Sequence, residues 1–202
     1  MRVRPVPGVR QDLVDRLRRP RARRLPRRPT SRSLHGPRAP SARPRRRGLP
    51  VRTADGGIVD PQGFAHVRLT VTDIRRSKAF YAQLFGTAPG SDFSDEIDDP
   101  TIHDDPWRTY GGCSFTFHGQ TLGLRPVAPA GDRFDPDRVG LDHLSLRVRS
   151  VDDLHRAVER LDAAGIVHGA VTDLEPFGLV VLSLQDPDDI NLELAAPRPS
   201  DA

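Results

Sequence analysis

Two histidines and one glutamate sit at corresponding places in three short alternating segments, and that residue set can hold a divalent cation. The segments are His66-Val67-Arg68-Leu69-Thr70-Val71, His143-Leu144-Ser145-Leu146-Arg147-Val148 and Ile190-Asn191-Leu192-Glu193-Leu194. Each alternates with period 2, the mark of a strand with one packed face and one open face. The aliphatic residues take the packed face, so His66, His143 and Glu193 fall on open faces. Imidazole nitrogen and carboxylate oxygen suit Fe²⁺, Mn²⁺, Zn²⁺ or Ni²⁺, and donor type alone does not choose among them. A lone strand histidine is more often a hydrogen-bonded filler and a terminal glutamate a solvated one; the joint occurrence of three donors favours a metal. Such an ion would polarise a substrate oxygen and stabilise a developing oxyanion or enolate, or would activate dioxygen. By the same alternation Arg68, Arg125 and Arg147 share faces with these donors, placed to clamp a carboxylate or phosphonate of a substrate. The competing reading pairs these arginines with acids at a rim.

The elements that must position these residues repeat. After the His66 segment, Ile74, Ser77, Phe80, Tyr81 and Leu84 fall on one helical face, with Thr72 or Asp73 as N-cap and Gly86 as the stop. After the His143 segment, Ser150 to Asp153 gives a capping-box signal, Leu154, Val158 and Leu161 form the buried stripe, and Gly165 ends the helix. Three strand candidates follow each helix: near 87–93, Cys113–His118 and Thr121–Pro126 in the first unit, and Ile166–Val171, Leu179–Gln185 and Ile190–Ala195 in the second. The last two are joined by the turn Asp186-Pro187-Asp188-Asp189. Strand–helix–three strands thus occurs twice, which is an internal duplication.

These motifs resemble the vicinal oxygen chelate superfamily, which includes glyoxalases, extradiol dioxygenases, fosfomycin-modifying enzymes and bleomycin-binding proteins. The carrying residues are His66-x-x-Leu69-x-Val71, Ala79-Phe80-Tyr81-x-x-Leu84-Phe85-Gly86, Gly140-Leu141-Asp142-His143 and Asp186-Pro187-Asp188-x-x-Asn191-x-Glu193-Leu194. The resemblance implies an α+β fold of two tandem βαβββ modules forming a cup-shaped mixed sheet, often completed by dimerisation, with a divalent ion inside. Module one spans 63–127 and module two 140–197, within a domain of 61–197. Ligands in the family come from the first and last strands of each module, which map here onto His66, His143 and Glu193. The fourth position falls on Gly123, which has no side chain to ligate, and this weakens a glyoxalase I reading. An extradiol enzyme would place a tyrosine shortly before Glu193, and a fosfomycin-modifying enzyme a threonine where Arg68 stands; neither pattern fits.

Charge divides the chain. Residues 1–52 hold 18 arginines and two acids, a net of +16, while the remainder nets −12. The basic pI therefore belongs to the leader, and the folded part is not read as a nucleic-acid binder. The Arg/Pro-rich leader is expected to be disordered apart from a short helix around 11–19. A gene start assigned too early, with Val51 as an alternative, is preferred over a tail that binds nucleic acid. No apolar run of signal-peptide or membrane-span length occurs, and Cys113 is the sole cysteine, so a reducing cytoplasm is expected. The acid-rich stretch 92–105 reads as a solvated loop or a flap carrying Phe93 or Trp107 to a ligand. His118, beside the Gly119-Gln120 turn, reads as a rim residue rather than a general base. The expected function is metal-dependent lyase, isomerase or dioxygenase chemistry on a small oxygen-rich molecule in a homodimer. The rival is a metal-free dimer that sequesters a drug-like or metabolite ligand.

Overall fold

The computed structural model describes residues 58–59 and 61–199; the basic leader and its expected helix lie outside the described residues. Module one contains β1 (His66–Thr70), α1 (Ile74–Phe85), β2 (Ser91–Asp92), β3 (Cys113–Phe117) and β4 (Gln120–Arg125). Module two contains β5 (Leu144–Arg147), α2 (Val151–Ala164), β6 (Thr172–Leu174), β7 (Leu179–Gln185) and β8 (Asn191–Pro197). Each module builds one four-stranded mixed sheet, ordered β1-β4-β3-β2 and β5-β8-β7-β6. β1 runs parallel to β4, and β5 to β8, while the other pairs are antiparallel. A short hairpin cannot join parallel neighbours, so a helix-containing connection follows β1 and β5.

The helices start and stop where the sequence marks them. Asp73 caps α1 by accepting from the Arg76 amide, and Gly86 ends it at φ 67°. Ser150 and Asp153 form a reciprocal capping box on α2, and Gly165 ends that helix at φ 68°. Both C-caps are left-handed, which only glycine adopts without penalty.

Register fixes the two faces of each sheet. His66 stands opposite Thr121, Arg68 opposite Gly123, and Thr70 opposite Arg125; Ser114 lies opposite Gly123 on its other side. These residues make one polar face. The other face carries Leu69, Phe115, Leu122 and Leu124, which join Tyr81 of α1 and Leu154, Leu182, Leu192 and Leu194 of module two in one continuous core. The modules therefore share their apolar sides and leave two polar sheet faces outside that core. β1 and β5 have no strand partner beyond β4 and β8 among the described residues, so each is a sheet edge.

Two strand expectations shift. The candidate near 87–93 shrinks to Ser91–Asp92. The candidate Ile166–Val171 is replaced by Thr172–Leu174, with His168 making only an isolated bridge to Leu184. Gly169 adds a single backbone hydrogen bond to β7, its amide 2.7 Å from the Ser183 carbonyl.

The acid-rich stretch and the residues just after it form three 3₁₀ turns (Ser94–Glu96, Ile102–Asp104, Thr109–Gly111). Arg108 draws it together, donating to Asp105 at 2.7 Å, Asp99 at 2.8 Å and Glu96 at 3.0 Å, while Ile102 is fully buried. Trp107 is 90% exposed. Hydrogen bonds from Arg108, then from Thr101, hold the Asp99 carboxyl down at about 2 from 3.8. Asp105, hydrogen-bonded to Arg108, shifts the same way. A depressed carboxylate contributes stability that is present above its unfolded value and is lost as pH falls through its folded value. Burial raises Asp186, whose contribution has the opposite sign and is lost as pH rises through its folded value. Thermal melts of the wild type should therefore weaken between pH 4 and about 2, following the Asp99 shift. Arg108→Met should be less stable at neutral pH and flatter across that window; an unchanged acid slope would remove Arg108 as the organiser.

Candidate functional site

Module two contributes an oriented histidine–carboxylate pair. His143 directly precedes β5, and Glu193 lies in β8 opposite Ser145. Glu193 is only 5% exposed, an unusual position for a carboxylate without a function or a partner. Its Oε1 accepts from Ser145 Oγ at 2.7 Å and stands 4.0 Å from His143 Nε2. The other ring nitrogen, His143 Nδ1, is 3.2 Å from Asp142 Oδ2. An Nδ1–H donated to Asp142 leaves the Nε2 lone pair facing Glu193, the arrangement second-shell carboxylates impose on metal-binding histidines. Asn191 extends the array, accepting from Gln185 Nε2 at 3.0 Å and donating to the Asp142 carbonyl at 3.3 Å. His143 Nε2 and Glu193 Oε1 are thus two groups of the donor types that suit a divalent ion, 4.0 Å apart.

His66 lies elsewhere. It sits on β1 in module one, beside a cavity of about 210 Å³ lined by Arg68, Thr109, Ser114, Thr121 and Gly123 among others. Among the described residues of one chain, no group of three His, Cys, Asp or Glu side chains is placed to share an ion. One chain therefore joins His143 to Glu193 and keeps His66 on the other sheet.

The arginines also separate. Arg68 and Arg125 both face Tyr110, their guanidinium carbons 5.9 Å and 4.2 Å from the ring centroid. Arg147 is exposed on β5, two residues after Ser145. None of the three pairs with a carboxylate among the described residues, so the alternative of rim ion pairs is not what the structure contains. Gly123 is buried with its Cα against Arg68, as alternation requires. His118 is exposed in the β3–β4 turn at φ 49°, a rim position.

Tyr110 was not singled out from sequence as a site residue. Its only signal is indirect: it lies just after the acid-rich stretch and immediately before two glycines, Gly111 and Gly112. Thr109 and Tyr110 both adopt positive φ, 51° and 59°, which is uncommon for residues other than glycine. Buried Cys113 has its thiol pushed up to about 12 by burial, which excludes it as a nucleophile.

Two βαβββ modules with histidine and carboxylate donors on polar sheet faces define a glyoxalase-type fold. A family model for the glyoxalase/bleomycin resistance protein/dioxygenase superfamily matches residues 63–194, and the chain belongs to that superfamily. A solved domain of this type from Frankia sp. EAN1pec is 26% identical with a TM-score of 0.52, covering 70% of this chain and 96% of its own. A glyoxalase/dioxygenase from Nostoc punctiforme is 20% identical with a TM-score of 0.50, covering 72% and 100%. The fosfomycin resistance protein FosX from Listeria monocytogenes, solved with Mn(II) and 1S,2S-dihydroxypropylphosphonic acid, is 17% identical with a TM-score of 0.51, covering 68% and 94%. The last two likenesses are of fold. No curated protein sequence matches the chain. No helix among the described residues is long and apolar enough to cross a membrane.

Proposed function

We propose that the protein is a divalent-metal-dependent enzyme of this superfamily, acting on a small oxygen-rich molecule in the cytoplasm. The ion is held between two copies of the chain, by His143 and Glu193 of one and His66 of the other. The single observation that carries this reading is the array Asp142–His143–Glu193–Ser145, in which a buried carboxylate and a part-buried imidazole stand 4.0 Å apart, each held by a neighbouring polar side chain. Supporting it, β1 and β5 are edges with no further strand partner among the described residues, which a two-fold partner can join to each other. Phe64, Val139 and Leu141, close in sequence to those edges, are exposed apolar residues of the kind a partner covers.

When bound, a divalent ion supplies Lewis-acid stabilisation of negative charge on a substrate oxygen, or oxygen activation if it is iron. The chain's own residues do the rest. Asp142 fixes the His143 tautomer and Ser145 fixes one Glu193 oxygen, so neither donor must reorganise. Arg68, Arg125 and Arg147 orient the substrate from the sheet faces. Fe²⁺, Mn²⁺, Zn²⁺ and Ni²⁺ all suit a donor set of two imidazoles and one carboxylate. The Listeria relative's complex makes Mn²⁺ the first ion to try.

The second reading is a metal-free binder, favoured by the fact that one chain gathers only two donors. Metal titration of the full chain beside its His143→Ala variant separates them. Stoichiometric metal in the wild type, lost in the variant, supports the enzyme. No metal in either after supplementation supports the binder.

A further inference from the structure

We propose that the polar face of module one is an oxyanion subsite, in which Arg68 and Arg125, set against the Tyr110 ring, take the negatively charged group of the substrate. This rests on reading that face as one half of the substrate cup, and it narrows the substrate to a small organic anion bearing a carboxylate, phosphonate or phosphate.

The argument begins with charge. Arg75, Arg76, Arg108, Arg133, Arg156 and Arg198 each contact a carboxylate. Arg68 and Arg125, on adjacent strands and one face, have none among the described residues. Three of the remaining unpaired arginines, Arg138, Arg149 and Arg160, are exposed, where water solvates a lone guanidinium at no cost. Arg125 is half-buried instead, and its Nε has no hydrogen-bond partner among the described residues. A desolvated donor without an acceptor is costly unless something else takes that role. Arg68 is exposed, and it adds a second positive charge over the same ring beside the desolvated Arg125.

The backbone is distorted to build this arrangement. Thr109 and Tyr110 take positive φ and Gly111 follows at 76°, with its Cα packed toward Ile97 and Ile102. The Arg108 network holds the preceding turns in place. Strain of this kind persists where the surroundings over-determine it, and it clusters at ligand sites. Its result here is a ring face 4.2 Å from the Arg125 guanidinium. The ring stabilises the cation without using up its N–H donors, which stay available to an anion.

Gly123 makes room. A Cβ at this position would stand 3.4 Å from Arg68 Nε and 3.6 Å from Arg68 Cγ. Both are ordinary contact distances, so Arg68 lies directly over this glycine, where a side chain longer than that of alanine would compete for the same space. The residue that withholds a metal ligand therefore admits an anion-binding one. The adjoining cavity of about 210 Å³, with Thr109, Ser114 and Thr121 on its wall, admits a small hydroxylated molecule.

Isothermal titration of EDTA-treated full-length protein with methylphosphonate, inorganic phosphate and acetate tests the proposal. At low ionic strength the wild type should bind at least one of these, more weakly as salt is added. Tighter methylphosphonate or phosphate assigns a tetrahedral anion; tighter acetate assigns a carboxylate. Arg68→Met and Arg125→Met should each weaken binding by about tenfold or more, the scale of a lost charge-assisted hydrogen bond. Arg160→Met should leave it unchanged. Tyr110→Phe should bind as the wild type does and Tyr110→Leu should not, because the ring face is needed and the hydroxyl is not. Absence of binding to all three probes, or binding that survives both Arg68→Met and Arg125→Met, overturns the proposal. Glu193→Gln separates the two readings: it should keep anion binding while losing metal. Anion binding in a protein that takes up no metal would sink the metal reading alone, and metal uptake without anion binding would sink this one alone.

Discussion

Mixing His66→Ala protein with Glu193→Gln protein restores metal binding that neither variant has by itself. Each substitution removes one donor from every site of its own homodimer. Partners in the outer shell of a metal site are typically worth about 10–100-fold in affinity, so loss of a ligand should cost more than about 100-fold. The two lesions lie on different modules: His66 on β1, Glu193 on β8. If each site takes His66 from one chain and His143 with Glu193 from the other, a mixed dimer concentrates both lesions in one site and leaves its second site whole. Free exchange then returns about a quarter of all sites, the statistical share for an isologous two-fold pair. Metal stoichiometry after mixing and dialysis reads this directly. Sites built within one chain would give no recovery, since every chain carries a lesion. The result is independent of which metal binds or what reaction follows.

The residues that build the fold were legible because local chemistry and global packing agree there. Alternation put Leu69, Leu122 and Leu124 inside and His66, Arg68 and Gly123 on the other face, and the register β1–β4 pairs them in that way. Ser150, Asp153 and Gly165 announce α2 through interactions that span only a few residues. What was not legible depends on contacts between distant segments. Tyr110 reaches Arg125 only because Arg108 gathers Glu96, Asp99 and Asp105, and acidic residues at irregular spacing carry no sign that one arginine will collect them. The separation of His66 from His143 was illegible for a related reason. Equivalent positions in a repeat fix which face a residue takes, but not whether two faces meet within a chain or across a pair of chains. Gly123 was read from the sequence only as a missing ligand; its second role, admitting Arg68, needs the parallel register of β1 on β4.

Asp188→Ala should lower stability by about 3 kcal/mol, a far larger effect than Asp186→Asn two residues away. The Asp-Pro-Asp turn before β8 ties module two to module one through both acids, yet the acids do different work. Asp188, with its side chain 5% exposed, accepts from the Thr72 amide at 2.8 Å and the Thr72 hydroxyl at 2.6 Å. Thr72 is the junction between β1 and α1, so this carboxylate closes a contact across 116 residues of chain. Arg76 and Arg133 also donate to it, but both are nearly half exposed and add little after solvent screening. Alanine leaves the part-buried Thr72 amide and hydroxyl without their acceptor, toward the low end of about 1–3 kcal/mol for each. Asp186 Oδ1 accepts from the Asp188 and Ile190 amides, and Oδ2 from the buried Tyr81 hydroxyl at 3.1 Å. An asparagine keeps a carbonyl for the two amides, and its amide group can donate to the Tyr81 oxygen. It also removes a charge that burial already disfavours, so its net cost should be under about 1 kcal/mol. Thermal melts at neutral pH should therefore show Asp188→Ala down by about 10 °C and Asp186→Asn nearly unchanged. Equal losses would mean that the turn acts as a rigid unit rather than through the Thr72 contact. Neither acid touches His143 or Glu193, so both variants should hold metal like the wild type at temperatures well below their melts. That separates the joint between modules from the site it supports.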